Sequence, residues 1–245
     1  MMDSKTIRRL TDRYQTTVDN VIREYYQHLF LSVLYQQKRS ESLWFKGGTA
    51  LRMIYASPRF SEDLDFTGSG IAIREIESVL EAALAQIEQE GIGVGIDEAK
   101  KTTGGYFGIL AFQGGENKSE IQFEVSLRKG REGKGTASLI SSDFLPPYTI
   151  LQLEEKTLVR EKVNAVLTRS KPRDFYDLYF ILRSRLALRE VFGKDQAVKR
   201  KLSQLVAKET RNLKNELKRF LPVSQQSLLR DFKNILMKEI ERILP

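Results

Sequence analysis

Asp63 and Asp65 stand two residues apart in Asp63-Leu64-Asp65-Phe66, a stretch that alternates polar and apolar. Such alternation marks a strand with one wet face, and residues two apart on a strand project to the same side. Two carboxylates held side by side repel each other unless a cation lies between them. Oxygen-only donors in such a pair suit Mg2+ or Mn2+, which bind through a few carboxylates together with substrate phosphates. An Asp-x-Asp also arises often by chance, so the pair gains meaning only from its surroundings.

A glycine turn lies upstream. Leu43-Trp44-Phe45-Lys46-Gly47-Gly48-Thr49 reads as a short apolar strand stopped by a glycine pair, with helical character from Thr49 to Tyr55. Glycines let the backbone approach a phosphate, and a helix N-terminus offers free N–H groups and the positive end of its dipole. Thr49 fits the N-cap position and would add a hydroxyl donor. The Gly-Lys-Ser/Thr order of a Walker A loop is missing, and an ordinary tight turn capped by threonine would read the same way.

A third carboxylate, Glu124, sits in the strand pattern Ile121-Gln122-Phe123-Glu124-Val125. Beside an Asp pair it would complete a two-metal arrangement. Glu120 shares its face and competes for the role, and a plain exposed strand glutamate fits the pattern as well. Further along, Arg169-Ser170-Lys171-Pro172-Arg173-Asp174 leads into Phe175-Tyr176-Asp177-Leu178. Pro172 suits the first turn of a helix, on which Asp174 and Asp177 share a face, and Lys162 lies on the preceding helical pattern. These basic groups would bind a triphosphate or an RNA backbone, or else form an interhelical salt-bridge cluster.

The elements that must position these residues follow from periodicity. Residues 4 to 38 read as helix broken once, and residues 73 to 90 as an amphipathic helix. Strand-like runs cover 92 to 98, 106 to 112 and 120 to 128. Pro146-Pro147 is the sharpest boundary, after which helical patterns rich in Lys, Arg, Leu and Glu run from 150 to 245. The expected organisation is an α/β half over 1–148, with N-terminal helices, and a helical half over 149–245.

Composition narrows the chemistry. The chain has 245 residues, no cysteine and one histidine, so disulfides, thiolate zinc sites and poly-imidazole metal sites are excluded. The one histidine, His28, falls inside a helical pattern and reads as helix packing or surface. No apolar run is long enough to span a bilayer and the opening residues are too polar for a signal peptide, which sets the expectation of a cytoplasmic protein with no membrane partner. The net charge of +8 favours polyanions such as nucleotides and RNA. A basic stretch (Lys194, Lys199, Arg200, Lys201, Lys208, Arg211, Lys214, Lys218, Arg219) would grip RNA or form a solvated helix face.

Three motifs in this order resemble those of the AbiEii/AbiGii-type nucleotidyltransferase toxins of abortive-infection and toxin–antitoxin systems. They are Phe45-Lys46-Gly47-Gly48-Thr49-Ala50-Leu51-Arg52, then Arg59-Phe60-Ser61-Glu62-Asp63-Leu64-Asp65-Phe66, then Glu161-Lys162 with Arg169 and residues 171 to 178. The resemblance implies an α+β, polymerase-β-like nucleotidyltransferase core with a mixed sheet, followed by a C-terminal helical domain. It implies Asp63, Asp65 and Glu124 as metal ligands for Mg2+ or Mn2+, and catalytic roles for Lys162 and Asp174. Lys46, Gly47, Gly48, Thr49, Arg59, Ser61 and Arg173 would hold the nucleotide. The implied reaction transfers a nucleoside monophosphate from an NTP to an acceptor hydroxyl. The tRNA 3′ end is the implied acceptor, and a cognate antitoxin protein the implied partner. A protein or small-molecule acceptor, or a non-catalytic RNA- or protein-binding module on the same fold, is the alternative.

Overall fold

The structure is a computed structural model that describes residues 2–127, 134–184, 186–192, 195–208 and 213–243. The chain divides into two compact units, Met1–Leu153 and Glu154–Pro245.

The first unit opens with α1 (Ser4–Tyr14) and α2 (Val18–Leu34), then β1 (Leu43–Lys46), α3 (Gly47–Tyr55), β2 (Asp63–Gly68) and α4 (Ile73–Gln89). It closes with β3 (Gly93–Thr102), β4 (Gly105–Gly114), β5 (Asn117–Ser126), β6 (Gly135–Ile140) and β7 (Tyr148–Leu153). The strands form one seven-stranded mixed sheet in the order β3-β4-β5-β2-β1-β7-β6. β2 runs parallel to β5 and antiparallel to β1, while β1 runs parallel to β7. This is the α+β architecture expected from the sequence.

Alternation decides which face is covered. In β5 the apolar Ile121, Phe123 and Val125 are buried, while Gln122 and Glu124 are exposed. The buried face meets α2 through ring packing: Tyr26 stacks on Phe112 at 5.2 Å and Phe30 meets Phe123 edge-on at 5.9 Å, while within the sheet Phe66 of β2 lies 4.9 Å from Phe123 of β5. Aromatic pairs at these separations add to the area they bury. The sheet is thereby locked to α2 on one side, and the polar face of β2 and β5 is left open.

Two strands differ from the sequence reading. Residues 148 to 153 are β7, hydrogen-bonded to β1 and β6, not the start of a helical run. A short apolar run such as Ile150-Leu151-Gln152-Leu153 fits a buried strand and a helix face equally, and only its neighbours arbitrate. The expected boundary at 148/149 therefore falls at the start of a strand that belongs to the first unit. β6 has no counterpart in the sequence reading, because Gly135-Thr136-Ala137-Ser138 carries little apolar signal.

The second unit contains α5 (Glu155–Thr168), α6 (Pro172–Arg183), α7 (Leu188–Phe192), α8 (Gln196–Lys208), α9 (Leu213–Leu217) and α10 (Phe232–Ile243). Its own core is built from residues such as Val159, Val163, Leu178, Leu202 and Ile240, all buried, with Tyr176 stacked on Phe232 at 6.0 Å. Among the described residues no helix is long and apolar enough to cross a membrane.

Candidate active site

β2 presents Asp63 and Asp65, half-buried, on the open face of the sheet, while Leu64 and Phe66 are fully buried on the other. The register brings neighbours to the pair: Asp63 lies opposite Gln122 and Asp65 opposite Glu124 on β5, and Lys46 of β1 lies opposite Asp65 on the other side. Partners across a ladder share a face about 4.8 Å apart. Lys46, Asp65 and Glu124 thus form a row across three adjacent strands, with Asp63 one step along. Among the described residues no three acidic or histidine side chains stand close enough together to hold a metal ion. The structure assembles the Asp pair and leaves Glu124 as a neighbour one strand away.

The glycine turn is pressed against this row. Gly47 has φ +85°, a conformation that side chains other than glycine disfavour, and a Cβ there would collide with the Asp65 carboxylate. A Cβ on Gly48 would collide with the Arg59 guanidinium and the Ser61 hydroxyl. Both glycines are therefore required by close approach: Gly47 to Asp65, and Gly48 to the loop that precedes β2. Lys46, next to the turn, is buried, and Arg59 is buried behind Gly48, where its Nη1 donates to the Phe60 carbonyl at 3.0 Å.

Thr49 corrects an expectation. The helix begins at Gly47, so Thr49 is not its cap. Its side chain is fully buried and its hydroxyl donates to the Asp63 carbonyl at 2.5 Å. That bond ties the first turn of α3 to β2 and leaves the hydroxyl no route to a bound phosphate. The backbone N–H groups of the turn are what the site offers an anion.

A polar network under the loop had no role assigned to it from the sequence. Gln27 of α2 donates through Nε2 to the carbonyls of Ser61 and Glu62 at 3.1 and 3.2 Å. Arg52 of α3 donates to Glu24 at 2.6 Å and to the carbonyls of Ser57 and Pro58 at 3.3 and 3.0 Å, with its guanidinium 3.4 Å from the centre of the Phe60 ring. Residues 57 to 62 are thus held from beneath immediately before Asp63. The legible signal is Glu24, Gln27 and His28 inside a helix whose remaining positions are mostly apolar. His28 accepts or donates at Nδ1 with the Tyr148 hydroxyl at 2.7 Å. Burial, helped by the charge of Arg52, pushes its pKa down to about 3, so it is neutral and its 4.0 Å approach to Glu24 is not an ion pair. Burial raises the Glu24 carboxyl above its usual range, and Arg52 opposes that shift.

In the second unit, the catalytic candidates are buried in ion pairs. Lys162 pairs with Asp177 at 2.7 Å. Asp174, 1% exposed, receives Arg169 through two bonds of 2.9 and 2.7 Å and the Lys171 backbone N–H at 2.9 Å. Asp174 thus fastens the first turn of α6, and Arg169 compensates its buried charge, which would be costly alone. Arg173 is half-buried on the same turn. Of the basic stretch, Arg200, Lys201, Lys208, Lys214, Lys218 and Arg219 are exposed and Lys199 is half-buried. Lys194 and Arg211 lie outside the described residues.

A family model, the nucleotidyl transferase AbiEii toxin of type IV toxin–antitoxin systems, matches residues 29–241. The chain belongs to this family. Its fold is shared with solved structures at low identity. JHP933 from Helicobacter pylori superposes with a TM-score of 0.62 at 17% identity, covering 93% of each chain. The nucleotidyltransferase toxin MenT4 from Mycobacterium tuberculosis gives 0.62 at 18%, over 98% of this chain and 89% of its own. A putative nucleotidyltransferase from H. pylori gives 0.58 at 18%, over 90% and 92%. No curated protein sequence matches the chain.

The residues of this AbiEii nucleotidyltransferase suit a divalent cation. Asp63 and Asp65 are hard oxygen donors, half-exposed on one face, and the missing Cβ of Gly47 leaves the approach to Asp65 open. A Mg2+ held by one or two carboxylates completes its shell with water and substrate phosphate, so a ready-made three-residue cage is not needed.

Proposed function

We propose that this AbiEii toxin transfers a nucleoside monophosphate from an NTP to the 3′ hydroxyl of tRNA in a reaction that depends on Mg2+ or Mn2+. The observation that carries the reading is the packing of Gly47 against Asp65, with Gly48 against Arg59 and Ser61 of the loop that leads to Asp63. That contact supports a reading in which the start of α3 receives an anion and the neighbouring carboxylates receive a metal ion.

The backbone N–H groups at Gly47, Gly48 and Thr49 hold the triphosphate, assisted by the dipole of α3. Lys46, Arg59 and Ser61 shape the turn from beneath and beside it. Asp63 and Asp65 would hold the ion, and Glu124 lies on the far side of them from the turn. Bound there, the ion would neutralise the charge that builds on the transferring phosphoryl group and favour ionisation of the attacking hydroxyl. The acceptor oxygen forms a bond to the α-phosphorus as the bond to pyrophosphate breaks, with the two oxygens in line. The roles of Lys162, Arg173 and Asp174 in the reaction rest on the family resemblance. A cytoplasmic setting and a cognate antitoxin belong to the same reading.

The experiment offers each α-labelled NTP to total tRNA and to a protein extract in parallel, with and without a chelator. Label in tRNA that disappears with the chelator is the expected result. Label in protein alone would replace the acceptor. Transfer that survives the chelator would remove the metal from the mechanism.

A further inference from the structure

Asp63 and Asp65 are held in place by different means. β1 ends at Lys46, opposite Asp65, so Asp65 lies between two strands, whereas within the sheet Asp63 is paired with β5 alone. Asp63 is also the first residue of β2, and residues 57 to 62 before it belong to no helix or strand. A segment of that kind has no ladder to satisfy its carbonyls, and a carbonyl left unpaired away from water is costly.

Side chains take over where the ladder stops. Nε2 of Gln27 donates to the carbonyls of Ser61 and Glu62, and the Thr49 hydroxyl donates to the carbonyl of Asp63. Three successive carbonyls are held in this way by two side chains from two helices, α2 and α3. The Glu62 carbonyl belongs to the peptide that precedes the Asp63 Cα, and the Asp63 carbonyl to the peptide that follows it. Both peptide groups that flank this Cα are therefore fixed. Gln27 is 2% exposed and Thr49 is fully buried. An amide nitrogen carries two hydrogens, so one glutamine serves both carbonyls. A methionine would fill the same space in α2 without burying an amide, so what Gln27 adds is its pair of donors. Neither residue is charged, and their effect on the carboxylates is one of position.

Position matters at this site because Mg2+ demands near-octahedral geometry, with ligands at roughly 2.0–2.1 Å. We propose that Gln27 and Thr49 are positioning residues: they pin the backbone on both sides of the Asp63 Cα and set its carboxylate where it shares a divalent cation with Asp65. The proposal rests on the metal-dependent reading of the pair, and it adds which residues outside the pair set its affinity for the ion.

The test is Mn2+ binding to the full chain without NTP or RNA, measured as loss of the free-ion signal in electron paramagnetic resonance. The site is identified as the binding that Asp63→Asn removes. Gln27→Met and Thr49→Val should each raise the Kd of that site by about 10- to 100-fold, the usual effect of losing a group that orients a metal ligand. Thr49→Ser, which keeps the hydroxyl, should retain the affinity of the unaltered chain. Tyr35→Phe is the control for general loosening, since the Tyr35 hydroxyl donates to the carbonyls of Leu43 and Leu151, both at 2.8 Å, away from Asp63. It should lower the melting temperature as the other variants do and leave Mn2+ affinity unchanged. Unchanged affinity in Gln27→Met or in Thr49→Val would remove that residue from the role. Weakening matched by Tyr35→Phe, or no Mn2+ binding that depends on Asp63, would overturn the proposal. Because the assay needs no turnover, weakened binding in the two variants of a protein that labels no acceptor would sink the transfer reading and leave the positioning roles standing.

Discussion

Asp65 is flanked by Lys46 and Glu124 across the ladder and by the backbone of Gly47, and each neighbour fixes a different aspect of what it can do. Gly47→Ala should be costly twice over. It forces a side chain into a left-handed conformation, at about 1–2 kcal/mol, and it displaces the carboxylate its Cβ would strike. The expected result is a lowered melting temperature together with a loss in kcat larger than the change in KM for NTP. Unchanged kcat would show that the turn does not set the position of Asp65. Asp63→Asn and Asp65→Asn should behave oppositely with respect to stability. Each removes one of two neighbouring negative charges, so the melting temperature should hold or rise, while activity falls on the order of 10³-fold, equivalent to several kcal/mol of lost transition-state stabilisation. A collapsed fold, read by circular dichroism, would instead make these aspartates structural. The residue types at this site were legible in the sequence because a period of two puts the carboxylates on one face. The demotion of the Thr49 hydroxyl was not, because a threonine two residues into a glycine turn reads as a cap until its partner, the Asp63 carbonyl, is known.

At the scale of elements, α2 is the support of the loop that delivers Asp63. It binds the sheet through Tyr26 and Phe30 and holds residues 57 to 62 through Gln27 and the Glu24–Arg52 pair. Both members of that pair are largely buried, with side-chain exposures of 9% and 12%. Removing one partner strands the other, so Glu24→Gln and Arg52→Met should each cost about 3 kcal/mol, and the double variant less than their sum. Additive losses in chemical denaturation would show that the two do not act as a pair. The existence of α2 and α4 and of strands β3 to β5 was legible from periodicity, since each is long enough to show its period. β7 was not, because a six-residue apolar strand buried in mid-sheet has no period to show, and β6 lacks apolar signal altogether. The ion pairs Lys162–Asp177 and Arg169–Asp174 were visible as a charge cluster, but which base meets which acid depends on how α5 packs on α6.

For the molecule as a whole, pH and salt give separate readings. His28 is held neutral with a pKa near 3, well below its ordinary value of 6.5. The unfolded chain therefore takes up a proton that the folded chain refuses, and stability falls as pH drops from about 6.5 towards 3. The loss amounts to about 2 kcal/mol at pH 5 from this group. Glu24 acts in the opposite direction: its raised carboxyl contributes stability at low pH that is lost as pH rises through its folded value. His28→Gln should flatten the decline between pH 6.5 and 4 in a denaturation series, and an unchanged slope would place the acid sensitivity elsewhere. On the proposed reading the net charge of +8 and the exposed Arg200, Lys201, Lys208 and Lys218 would serve RNA affinity rather than the fold. Reversing these four should lower the slope of log K against log salt by about 0.7 for each phosphate of a single strand that is no longer neutralised. An unaltered slope would make them a solvated helix face.

Whether the Asp63/Asp65 pair catalyses metal-dependent nucleotidyl transfer is read most directly by incubating the purified chain with tRNA, Mg2+ and α-labelled NTP beside Asp65→Ala. Label should appear in tRNA with the unaltered chain and not rise above background with the variant. Equal labelling by both proteins would contradict catalysis by the pair.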